Sequence, residues 1–107
     1  MLIYISGAIS SDPDYREKFR IVSKRLIEKG HDVINPALFD SCLPELTHEQ
    51  YLHIDKALID ICDAVYFLKD WGSSKGAREE YEYVRKKNEL EEKLIKLIFE
   101  GENEDEI

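Results

Sequence analysis

Long apolar runs are missing from this 107-residue chain, and so is any excess of positive charge. No stretch approaches the roughly 20 apolar residues that a membrane-spanning helix needs. The opening Met1-Leu2-Ile3-Tyr4-Ile5 is too short for a signal peptide and lacks its basic start. A soluble, cytoplasmic protein with no membrane partner is expected. Fifteen lysines and arginines stand against 23 aspartates and glutamates, a formal net charge of -8 with a pI near 4.9. That balance weighs against nonspecific binding to a nucleic-acid polymer, which asks for a basic surface. An anionic small molecule stays open, because a local pocket can oppose the global sign. Cysteine is scarce, and Cys42 and Cys62 form no metal-ligand spacing, so reduced thiols are expected. The three histidines, His31, His48 and His53, form no cluster either and read as surface residues. No metal and no cofactor is expected.

What is present is a 43% hydrophobic chain, enough for one core. Residues 1–99 read as a single domain and residues 100–107 as a solvated acidic tail. Leu2 to Ser6 is a short apolar run closed by Gly7, the pattern of a buried parallel strand. A helix follows from about Pro13, with Asp12 as cap, Tyr15, Phe19, Val22 and Leu26 on one face, and Gly30 as its stop. Asp32 to Ile34 is a second strand, and Ala37 to Leu46 a loop or broken turn. Thr47-His48-Glu49-Gln50 has the capping-box form and starts a helix that runs to Cys62. Ala64 to Leu68 is the clearest strand, and a helix runs from about Lys75 towards Asn88. Leu94 to Phe99 reads as a last strand, although Glu91 and Glu92 beside it also suit a helix. This alternation predicts an α/β fold, a small flavodoxin-like or Rossmann-like three-layer sandwich with a mostly parallel sheet of four to five strands. Ligands of such sheets bind beyond the carboxyl ends of the strands, where three loops converge here.

Two carboxylates break the helical patterns. Asp55 falls inside the stripe Tyr51, Ile54, Leu58, Ile61 and Cys62, where a charge is costly unless paired or functional. On the later helix, Ala77, Tyr81, Val84 and Asn88 define the inward face, with Glu80 at its edge, roughly 70° from the centre, while Glu79 and Glu82 point outward. Ser74, Gly76, Lys75 and Arg78 bring donors and positive charge to that helix start, which favours an anion. Two carboxylates entering one place fit acid and nucleophile at a glycosidic bond. Each residue also has a plainer reading. Tyr4 packs in the core, Gly7 serves a turn, Asp63 links a helix to a strand, Trp71 and Phe39 cover a sheet edge, and Arg85-Lys86-Lys87 is a solvated helix face.

Four pieces in order resemble the nucleoside 2-deoxyribosyltransferase superfamily, which includes the 2'-deoxynucleoside 5'-monophosphate N-glycosidases. They are Tyr4-Ile5-Ser6-Gly7-Ala8-Ile9, Asn35-Pro36-Ala37, Asp55 followed eight residues later by Asp63, and Ser74-x-Gly76-x-x-x-Glu80. The resemblance is to its short phage and bacterial branch. It implies Glu80 as nucleophile at the sugar C1', Asp55 assisting the leaving base, and Tyr4 beside the nucleophile. It also implies substrate held by Ser6, Gly7, Ala8, Ile9, Asn35, Ser74 and Gly76, with Ser74 touching a 5'-phosphate. The transferases carry an aspartate at Ser74's position, so the implied ligand leans to a nucleotide. They also complete their sites with a neighbouring subunit's C-terminal asparagine, which has no evident counterpart here and weighs against transfer. A homodimer or higher homo-oligomer is implied, with the helices from Thr47 and Lys75 at the interface. The expected function is N-glycosidic cleavage or transfer on a nucleoside or its 5'-monophosphate. The alternative is a nucleotide-binding module that has lost turnover.

Overall fold

Alternation along the first strand sets the plan of the molecule. Residues two apart on a strand share a face, so in β1 (Leu2–Ser6) Ile3 and Ile5 enter one core while Tyr4 enters another. The structure, a computed structural model, describes residues 1–90 and 93–107, and of residues 40 and 41 the backbone alone. Strands β2 (Asp32–Ile34), β3 (Ala64–Phe67) and β4 (Lys96–Phe99) complete a four-stranded, all-parallel sheet in the order β2-β1-β3-β4. Helix α1 (Tyr15–Glu28) covers one face through Phe19, Val22 and Leu26. Helices α2 (His48–Asp60) and α3 (Lys75–Glu89) cover the other through Ile59 and Val84. The expected three-layer α/β sandwich is the observed one. No described helix is long and apolar enough to cross a membrane.

The strand order places the chain reversal between β1 and β3, and the crevice outside their carboxyl ends is where such sheets take ligands. Gly7 closes β1 there. A Cβ built on it would stand 2.6 Å from Leu68 Cδ1 and 3.0 Å from Leu68 Cβ, so the glycine lets the ends of β1 and β3 meet. Its indispensable contact is therefore within the protein.

Several expectations are corrected. Helix α1 begins at Tyr15 rather than Pro13, and Asp12 instead accepts the backbone N–H of Asp14. Thr47 and Gln50 do form the capping box, but α2 ends at Asp60 and its buried residue is Ile59. Ile61, counted into the apolar stripe, is 60% exposed. The last strand is present, and Glu91 and Glu92 lie outside the described residues. The region after Asn35 opens with a 3₁₀ segment, Pro36–Ser41, capped by Asn35 Oδ1 accepting from Ala37 N at 3.0 Å. The acidic end is not a free tail. Glu104 pairs with Arg25 at 2.6 Å and accepts from Tyr66, while Asn103 accepts from Phe99 N and donates to Leu97 O. Charge had indicated solvation there, but Arg25 on α1 and Tyr66 on β3 supply partners for it.

Gly7→Ala should destabilise the fold by about 1–3 kcal/mol in urea unfolding, because the new methyl overlaps Leu68. Adding Leu68→Ala should reduce that increment in a double-mutant cycle; strictly additive losses would show that the contact is not the reason for glycine.

Candidate functional site

Tyr4 and Ser6 leave β1 on the same face, two residues apart, and both meet the first turns of α3. Tyr4 Oη donates to Glu80 Oε2 at 2.6 Å, and Ser6 Oγ donates to Glu80 Oε1 at 2.8 Å. Glu80 is only 5% exposed, so it is a buried residue rather than the helix-edge residue that its angular position indicated. The difference arises because two strand hydroxyls give the carboxyl a place to go. Asp55, half-buried on α2, lies close enough to interact with both Tyr4 and Glu80.

Burial governs the electrostatics. Desolvation, then the charge of Asp55, pushes the Glu80 carboxyl up to about 8, against the lowering effect of the Tyr4 and Ser6 hydrogen bonds. Desolvation likewise raises Asp55 to about 6, opposed by hydrogen bonds from Tyr4 and Glu80. The Tyr4 phenol is held well above its ordinary value, first by burial and then by the two carboxylates, so it stays a donor. Two carboxyls in one desolvated place cannot both ionise cheaply, and near neutral pH the pair holds one proton between them.

These groups line one wall of a cavity of about 300 Å³. Ile9, Phe39, Tyr15 and Tyr51 give it apolar and aromatic surface, which suits a planar ring. Ser74 and Gly76, at the start of α3, also line it, as does Ser10. Ser74 caps the helix, its Oγ accepting from Ala77 N at 3.2 Å, which leaves its own proton to give. A Cβ on Gly76 would meet His48 Cε1 at 3.6 Å, an ordinary distance, so the glycine is not forced by crowding.

Of the residues expected to hold substrate, Gly7, Ile9, Ser74 and Gly76 line the cavity, while Ser6, Ala8 and Asn35 do not. Ser6 acts on Glu80, Ala8 N donates to Asp70 Oδ1 at 3.2 Å, and Asn35 caps the 3₁₀ segment. Trp71 packs with Phe67, Tyr81 and Phe99 outside this cavity. His48, read as a surface residue, lines it. A signal for this was available, since His48 precedes Asp55 by two helical turns and so shares its face. No group of three or more histidines, cysteines or acidic residues among those described could hold a metal ion.

A raised carboxyl favours the folded state at low pH and costs stability as pH climbs from its ordinary value through its raised one. Glu80→Gln should therefore leave stability nearly unchanged at about pH 4 and increase it by about 2–4 kcal/mol at about pH 9, measured by urea unfolding. A variant that is less stable at the alkaline end would mean that Glu80 is not penalised by burial.

Compared with curated proteins and with solved structures, the chain matches none. A family model does match, over residues 1–91 and so over both carboxyls, their hydroxyl donors and the start of α3, and the chain belongs to that family, DUF4406, a domain of unknown function.

Proposed function

We propose that this protein cleaves the N-glycosidic bond of a nucleoside or its 5'-monophosphate, with Glu80 attacking the sugar C1' and water releasing the sugar. The observation that carries this reading is the buried Glu80–Asp55 pair, with Tyr4 and Ser6 on the two oxygens of Glu80, at the wall of a cavity large enough for a nucleoside's ring system. The four sequence pieces that resemble the nucleoside 2-deoxyribosyltransferase superfamily support it, because Glu80, Asp55 and Tyr4 stand at that superfamily's working positions.

Burial leaves the shared proton of the free protein on Glu80, the group raised furthest. A sugar whose C1' gains positive charge reverses the preference, since a carboxylate against a cation is stabilised by it. The proton passes to Asp55, which gives it to the departing base as the bond from Glu80 to C1' forms. Asp55, now ionised, takes a proton from the water that breaks that bond, and the pair again holds one proton. Tyr4 and Ser6 aim the Glu80 oxygens. Ser74 and the backbone N–H groups at the start of α3 suit a 5'-phosphate. The proposal includes a cytoplasmic homodimer built on α2 and α3, supported by exposed Ile61, Leu90 and Leu94 near the ends of these helices; a monomeric mass by light scattering contradicts that part.

The test is free base released from 2'-deoxynucleosides and their 5'-monophosphates, followed by chromatography. Glu80→Gln should lower the rate by at least about 10³-fold and Tyr4→Phe by about 10–10²-fold, while Glu79→Gln does little on an uncharged nucleoside. The rate on such a nucleoside should be bell-shaped in pH, with limbs near about 6 and about 8, because the reaction needs one proton in the pair. Binding without release points to the nucleotide-sensing alternative. Release that survives Glu80→Gln overturns the mechanism.

A further inference from the structure

The cavity has a shortage that bears on what it can hold. Its lining contains two carboxyls and, among the described residues, no lysine or arginine. Cations nearby are engaged elsewhere or face water. Lys18 pairs with Asp12 and Asp70, Arg78 donates to Gly72 O, and the Lys75 side chain is 74% exposed. Among the described residues, the one lining side chain able to take a positive charge is His48. It is the first residue of α2, its ring half-exposed at the cavity's edge, and its Cε1 lies against the place where Gly76 lacks a Cβ. The imidazole thus covers the first turn of α3. Its Nε2 lies 3.3 Å from Glu79 Oε1. A protonated imidazole has two N–H groups, and Glu79 occupies one of them.

We propose that His48 is the specificity residue that makes this site prefer a phosphate monoester, donating from its second N–H to a phosphate oxygen seated over Gly76. This rests on the reading of the cavity as a nucleoside or nucleotide site, and it names the side chain that selects the nucleotide. The groups that face His48 are Glu79 and, beyond it, Lys75 from α3, and Asp55 from its own helix, with Glu80 and Tyr4 deeper in the cavity. Among the described residues that line the cavity, only an imidazolium at His48 offers the phosphate an opposite charge at close range. The Glu79 carboxylate takes one ring N–H and so orients the other, and removing that charge weakens the preference.

Titration calorimetry with the common 2'-deoxynucleosides and their 5'-monophosphates tests this in the wild type and in His48→Ala, His48→Lys and Glu79→Gln. At about pH 6 the wild type should bind the monophosphate roughly tenfold more tightly than the nucleoside, the value of one charge-assisted hydrogen bond. His48→Ala should bring that ratio close to one. His48→Lys should keep it high, and Glu79→Gln should lower it. A wild-type ratio near one, or a ratio that His48→Ala leaves intact, overturns the proposal. Base release with no effect of His48 removes this inference and leaves the glycosidase reading standing; a ratio that depends on His48 in a protein that releases no base does the reverse.

Discussion

The structure depends most on the burial of one carboxyl. Glu80 sits almost out of solvent beside a second acid, an arrangement that costs stability whenever both ionise. It is tolerated because Tyr4 and Ser6 each hold one of its oxygens. The strand's period of two, the short connection from β3 into α3, and the position of α2 alongside are what bring these four side chains to one point. A neutral residue at position 80 would pack more cheaply. The penalty is the physical sign that the position serves something other than folding.

The same arrangement shapes what the cavity can admit. A protein of net charge -8 with two acids in its pocket repels anions at long range, and salt screens that repulsion. Close contacts must then do the selecting. Ser10, Ser74, Gly76 and His48 line the cavity, with no lysine or arginine among the described lining residues. On the opposite face, Arg25 gathers Tyr66 and Glu104, so positive charge is used there to fasten the end of the chain to the sheet.

The short apolar runs and capping signals made the strand–helix alternation and the parallel sheet legible, because burial on both faces leaves near-continuous apolar strands. Asp55 and Glu80 were legible as breaks in helical stripes. What the sequence concealed depended on partners distant along the chain. Ser6, two residues from Tyr4, donates to Glu80, and Asn35 and Ala8 make contacts within the loops. Periodicity ranked Ile61 with the core because it cannot see where α2 leaves the sheet. His48 was hidden by the base rate for histidines at helix starts, and the acidic end by its composition, since neither reveals Gly76 or Arg25 across the fold.

The claim on which the rest stands is that Asp55 and Glu80 hold a single proton near neutral pH. Carbon-13 NMR of the side-chain carboxyls, titrated in the wild type and assigned with Glu80→Gln and Asp55→Asn, measures it directly. Two steps should appear, near about 6 and about 8; Asp55→Asn should move the Glu80 step down by removing its charged neighbour, whereas Glu80→Gln, which removes a neutral partner, should not lower the Asp55 step. Two independent steps at the ordinary carboxyl values near about 4 would contradict the account.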